Sequence, residues 1–411
     1  MYGWFVRRAT VAVAVAVCVA ARAEAQDTPD QTHDMSQMHM AESGWTFMQD
    51  GVFDGVLNHQ GGPRGGTEVR GLTWWMGMLS RSFEPGQLTL TGMFSVDPAT
   101  VGTDGYRELF QVGEAIDGRP NVDHQHPHDA FMQVSATWRA SVTEATTISL
   151  AAAPAGEPAL GPVSFMHRAS AAAILFAPLS HHTFDSTHIA FGVVTGGVAR
   201  GRWILEGSVF NGREPDQDRW NFDFARLDSV SGRVWFRPTD EWAVQVSSGR
   251  LSAPEELEQG NVVRTTASVS WTRIGADSMS AVTAGYGRND KAAQQAAFGE
   301  ATRQRGATTL SARLEAVQIE DELLLNATPS VSAETHALDL HLVGAITLGA
   351  IRRVGRWKGL EAGIGVNASA YVVPPALREV YGDHPVSAQF FMQIRPRVGG
   401  MGPMWNMRMG Q

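Results

Sequence analysis

Cysteine is all but missing from this chain: among 411 residues there is one, Cys18. It lies in what reads as a cleavable secretory leader, residues 1–25. Arg7 and Arg8 precede an apolar run over 11–21, and Ala23-Glu24-Ala25 forms a small-residue cleavage pattern before Gln26. A mature chain without cysteine excludes disulfides, thiolate metal sites and a cysteine nucleophile. Charge is sparse as well, at 18% of residues, and the net charge is −9. Losing a leader that carries Arg7, Arg8 and Arg22 against Glu24 makes the balance more acidic. Such a chain repels phosphates, so nucleic acid is not an expected partner. After the leader no apolar run reaches the roughly 18 residues that a membrane-crossing helix requires. Glycine and tryptophan, by contrast, are plentiful at 43 and 12 residues.

What fills the chain is alternation. Over 130–142, Ala130, Met132, Val134, Ala136, Trp138, Ala140 and Val142 form one apolar set, opposed by Phe131, Gln133, Ser135, Thr137, Arg139 and Ser141. The pattern returns over 263–272, 309–317 and 388–395. Segments of about 8 to 13 residues with one greasy and one polar face suit tilted membrane strands. Connections alternate in length too, with "FEPGQ", "TEAT", "RGR", "PTDE", "IGAD" and "RRVGRWKG" as short turns. The two longest intervening connections lie near 97–129 and 155–187. This predicts an all-β, up-and-down antiparallel outer-membrane barrel of about 16 strands over 44–398, both termini periplasmic. Fourteen strands is the alternative count, because 45–58 mixes Asp50 and Asp54 into the face of Met48, Val52 and Val56, and 294–305 alternates poorly. Trp138 and Trp271 end strands that enter short turns, while Trp203 and Trp242 begin strands that leave them. All four sit on the apolar face, as an interfacial girdle does.

The opposite faces then line a lumen, with Arg139, Arg233, Arg237, Arg264, Arg313, Glu315 and Arg395 as pore-lining candidates. Inward charge suits a wet channel, and the excess of arginine favours small polar or anionic solutes. Only residues 26–43 precede the barrel, too few for an N-terminal plug domain, so diffusive passage is the expected mechanism. Lipid, lipopolysaccharide and small solutes or metal ions are the expected partners.

Histidine carries the candidate chemistry. "NVDHQHPHDAF" and "HHTFDSTH" place His124, His126, His128, His181, His182 and His188 beside Asp123, Asp129 and Asp185, in the two longest loops and at the start of a strand. Imidazole and carboxylate together suit Zn(II) or Cu(II). The competing reading is a polar loop that folds inward as a constriction, its histidines hydrogen-bonded to neighbouring loops. Ser180 beside His181 and Ser186 near His188 allow a barrel-wall hydrolase, yet no oxyanion-forming glycine turn accompanies them, and an enzyme is not expected. Glu214, Asp216, Asp218 and Asp223 offer carboxylates for cations bridging lipopolysaccharide. At the two ends, His33, Met35, Met38, His39 and Met40 form a Met/His-rich tail over 26–43. Met404 and Met407 lie in a Met-rich tail over 399–411. Clustered thioethers favour Cu(I) or Ag(I). No cofactor is required on this reading, with Cu or Zn as candidate ions.

The leader-proximal "HDMSQMHM" resembles the tail of proteobacterial copper-resistance outer-membrane proteins, which implies a metal-binding periplasmic segment. The longer strings "DHQHPHD", "FMHRAS", "DSTHIAFGVVTGG" and "FNGREPDQDRWNFD" look instead like a group of porin-like outer-membrane proteins of proteobacteria. That resemblance implies location and fold, with trimers or other homo-oligomers usual for porins. A closed barrel that only presents metal ligands is the remaining alternative to a channel.

Overall fold

The computed structural model describes residues 44–112, 114–256, 260–325 and 340–396. Sixteen strands, from β1 (Thr46–Gln60) to β20 (Val386–Pro396), each pair antiparallel with the next barrel strand, and β1 pairs with β20 to close the ring. Four short strands lie in one loop and pair as two ribbons: β4 (Tyr106–Arg107) with β7 (His124–Gln125), and β5 (Glu114–Ile116) with β6 (Arg119–Asn121). Closure leaves no strand edge unpaired, the condition for a sheet to sit in hydrocarbon. The ring holds sixteen strands, which settles the count against fourteen.

Turn lengths sort the rims. Two-residue turns at 84–85, 144–145, 201–202, 276–277, 306–307 and 358–359, with 237–241, share one rim, where β1 begins and β20 ends. The opposite rim carries every long connection, including 95–130, 157–189 and 211–228. On the outside, Leu205, Val246, Leu314, Leu348 and Val366 are exposed at strand centres, where only an apolar solvent stabilises them. At the short-turn rim, Trp203 stacks near Phe236 with ring centroids 4.5 Å apart, and Trp242 faces Trp271 across the strand pair at 6.5 Å. The closed ring, apolar belt and tryptophan girdle make this an outer-membrane β-barrel protein.

Three strands differ from the sequence pattern. In β1, Asp50, Asp54 and Val56 are buried and point inward, while Phe53 and Leu57 face outward. Met132 was expected on the lipid face. Register shifts on both sides of β8 (Phe131–Thr143) instead place it in a buried cluster with Met76, Met93, Ile189 and Phe191. In β16 (Gln295–Arg305) the inward residues include Ala296 and Phe298, and the outward ones are Ala297, Gly299 and Ala301. A lumen filled with protein allows apolar side chains to face inward, so strict alternation lapses where the filling is apolar.

Leu348 lies midway along β18 (Leu340–Trp357) on the lipid face. Leu348→Arg should destabilise the folded barrel by about 2–4 kcal/mol in urea titrations in lipid vesicles. An unchanged midpoint would place this face elsewhere than in lipid.

Candidate functional site

The filling is the 157–189 connection. It leaves the rim after β9 (Thr146–Gly156), enters the barrel, and returns to β10 (Ala190–Arg200), with nearly every residue buried. Its core stretch, "ASAAAILFAPL" over 169–179, is small and apolar, a composition with little reason to stand in solvent. An irregular segment inside a barrel needs partners for its backbone, and the wall supplies them. Ala159 N–H donates to Ser208 Oγ (2.7 Å), Gly161 N–H to Ser247 Oγ (2.9 Å), and Ala173 N–H to Ser311 Oγ (3.0 Å). Leu175 N–H donates to Asn367 Oδ1 (2.9 Å), and Arg313 Nη1 to the Phe176 carbonyl (3.0 Å). Glycine allows the closest approach: a Cβ on Gly349 would stand 2.2 Å from the Ala173 carbonyl oxygen.

Buried charge holds the segment as well. Arg168 reaches Glu300 (3.0 Å) and Asp185 (3.3 Å), and lies over the Phe298 ring at 4.6 Å. Arg313 pairs with Glu300 at 2.9 Å. Arg233 pairs with Glu157 and Glu206, and Arg395 with Asp50. Glu315 accepts from Ser180 Oγ (3.0 Å), and Arg264 donates to Ser186 Oγ (2.8 Å). Thus Arg233, Arg264, Arg313 and Glu315 project inward, but they grip the inserted segment. Carboxylates balance Arg233 and Arg313, whereas Arg264 bonds Asn289 and Ser186, so the net inward positive charge is smaller than the count of arginines. Arg139 is half-buried in β8, and Arg237 lies exposed in the 237–241 turn, past the end of its strand. Below the segment, a cavity of about 80 Å³ is lined by Asp50, Asp54, Trp74, His167 and Arg395 among others.

Above the cavity, the histidines converge. One helical turn, His181–Phe184, carries His181 and His182, and a further turn carries His188. The 95–130 connection brings His126 and His128 against them. Ring centroids stand 5.0 Å apart for His181–His188, 5.4 Å for His181–His182, 6.0 Å for His128–His188 and 6.2 Å for His126–His181. His124 does not join; its Nδ1 pairs with the Val122 carbonyl at 2.9 Å. Four Nδ1 atoms face acceptors: His126 the Pro127 carbonyl (3.0 Å), His128 Asp97 (2.8 Å), His181 Asp185 (2.8 Å), and His188 the Asp185 carbonyl (2.9 Å). That fixes the proton on Nδ1 and turns Nε2 away from these acceptors, as on metal-ligating histidines, with His126 Nε2 lying 3.3 Å from Glu114 Oε1. The buried Nε2 atoms of His181 and His188 have no hydrogen-bond partner.

Electrostatics keeps most of these rings neutral. Burial lowers His188 to about 3, aided by His181 and His128, and it lowers His126 and His181 too. His182 goes the other way: burial opposes its charge, but Glu214 and Glu255 outweigh that and raise it well above the usual range. Burial likewise works against Asp185, yet the His181 hydrogen bond and Arg168 hold its carboxyl far below normal.

Several members of the site were not singled out by sequence. Asp97, Glu114, Arg219 and Glu255 belong to it, and nothing in their local sequence marks them; only the meeting of separate loops does. Glu214 turns inward to His182 (3.3 Å), whereas Asp216 and Asp223 bond within their own loop. Neither Ser180 nor Ser186 bonds a histidine among the described hydrogen bonds, so the hydrolase arrangement gains no support. His33, Met35, Met38, His39, Met40, Met404 and Met407 lie outside the described residues, as do both tails.

No family model matches this chain, and no curated protein does. Among solved structures, a loop-deletion mutant of OmpT, an outer membrane protein of Vibrio cholerae, is similar at 10% identity. That likeness covers 86% of this chain and 99% of the other, at a TM-score of 0.48. Salmonella typhi OmpF, solved with daunomycin, is similar at 10% identity over 84% and 97% of the two chains, with a TM-score of 0.47. Pseudomonas aeruginosa OpdK is similar at 10% over 85% and 98%, with a TM-score of 0.41. The chain's own closed ring of sixteen antiparallel strands and its apolar belt assign it to the bacterial outer membrane. Nothing in these comparisons supports the copper-resistance resemblance.

Arg168→Ala would remove the cation that Glu300 and Asp185 share, leaving Glu300 with Arg313 and Asp185 with His181. A loss of about 3–5 kcal/mol is expected, together with new protease cleavage within 157–189 in the detergent-solubilised protein. Wild-type resistance in the variant would mean that the buried pairs do not hold the segment.

Proposed function

We propose that this protein is a selective outer-membrane channel for small polar solutes, with segment 157–189 as its constriction and metal ions as the favoured cargo or regulator. One observation carries the reading. A barrel of this strand number encloses room for an aqueous lumen, and here that room is occupied by a segment bonded to the wall by polar side chains. Such bonds are individually reversible, while a dry apolar plug would seal the barrel. Histidine and carboxylate at the mouth favour cations and metal complexes over free anions. The long-loop rim faces outward on this reading, and assembly into a homo-oligomer belongs to the same expectation.

The closed-module alternative has its own support in the balanced inward charges and the small cavity. Planar-bilayer recordings separate the two. Wild-type protein should show small, discrete conductance, and deletion of 162–187 should raise it several-fold. Ser170 Oγ donates to Thr283 Oγ1 at 2.7 Å, so Ser170→Cys with Thr283→Cys should cross-link segment to wall. Oxidation should then suppress opening events and reduction restore them. A wild-type barrel that never conducts, beside a deletion variant that does, would favour the closed module.

A further inference from the structure

The histidine cluster borders a second, more compact donor set. One ligand atom each from Glu114, His182 and Glu214 lies within 4.8 Å of the other two. The three come from different parts of the chain: Glu114 from β5, His182 from the helical turn of segment 157–189, and Glu214 from the 211–228 connection. We propose that Glu114, His182 and Glu214 bind a divalent transition-metal ion of the zinc class, which ties two rim loops to the segment inside the barrel.

Three further observations support a metal over a plain ion-pair cluster. His182 is 9% exposed, and neither ring nitrogen makes a hydrogen bond; Nδ1 stands 3.3 Å from Glu214 Oε1 without hydrogen-bond geometry. Buried polar groups in that condition are costly, and a metal ion that displaces the ring's proton would give both the imidazole and the facing carboxylates a direct partner. Glu114 is held as ligating carboxylates are held, with Oε2 bonded to Arg219 (2.6 Å), which Asp129 braces at 3.3 Å. Finally, more donors stand alongside. His126 Nε2 is 3.3 Å from Glu114 Oε1, and Glu255 lies 3.9 Å from His182 Nδ1. Two carboxylates and an imidazole, with a further imidazole adjacent and no thiolate, suit Zn(II), Co(II) or Cu(II) better than Cu(I) or Ca²⁺. This set differs from the methionine-rich tails, whose thioethers favour softer ions.

The test titrates Co(II) into the full chain, purified in detergent after chelation, and follows visible d–d absorption, which reports a coordinated ion. Wild type and His124→Gln should saturate with one intense band above the background of the tails. His182→Gln and Glu214→Gln should lose that band or weaken binding by about 100-fold, while keeping the heat-modifiable gel mobility of a folded barrel. Should His182→Gln fail to fold, Glu214→Gln decides alone. Wild type that takes up no Co(II) beyond its tails, or folded variants that bind like wild type, would overturn the site. This proposal does not depend on conduction: a barrel that binds Co(II) but passes no current loses the channel and keeps the metal.

Discussion

The rest of this molecule depends on one constraint: backbone placed in hydrocarbon must find all its hydrogen bonds within the protein. Sixteen strands meet it by closing on themselves, and closure creates an interior wide enough to require contents. Segment 157–189 supplies them, at the cost of bringing an irregular backbone where water is scarce. The wall answers with hydroxyls, amides and charges directed inward. Ser208, Ser247, Ser311 and Asn367 bond the segment's backbone, and Arg313 adds a bond to the Phe176 carbonyl. Polar residues facing inward are therefore the fastening of the segment first, and the lining of any passage second.

The same fastening explains the arginines. A buried guanidinium left alone would be prohibitive, so most are matched: Arg168 to Asp185 and Glu300, Arg233 to Glu157 and Glu206, Arg219 to Glu114 and Asp129, while Arg264 bonds Ser186 and Asn289. These pairs span the segment, the rim loops and the wall. Through Asp185 the network also orients His181 and His188, and through Glu114 and Asp129 it reaches His126 and the rim. The histidine cluster is thus positioned by the groups that fasten the segment, and any ligand that moves a histidine pulls on that network.

Much of the barrel was legible in the sequence, because lipid imposes a period of two wherever a strand meets it. Strand number, short turns and the tryptophans at 138, 203, 242 and 271 follow from that period. What escaped it was governed by contacts between distant parts of the chain. Met132 left the lipid face at register shifts, and β16 carried Phe298 inward because the segment lies against it. The site was half legible. Six histidines stood out by density, and five of them meet. Glu114 and Arg219 did not stand out, since single charged residues in loops are ordinary until folding brings them beside an imidazole. The readable sign of the inserted segment was its composition, a loop of alanine, leucine and phenylalanine where solvent would favour polar residues.

The central claim is that residues 157–189 reside inside the barrel. Cys18 is the chain's one cysteine, so in a Cys18→Ala background single cysteines placed elsewhere can be read cleanly. Ala177 is 1% exposed at the heart of the segment, and Arg226 is exposed on the long-loop rim. In intact cells, a membrane-impermeant maleimide should label Arg226→Cys promptly. It should leave Ala177→Cys unlabelled until the barrel is denatured. Equal labelling of the two in the folded protein would put the segment in solvent and contradict the account.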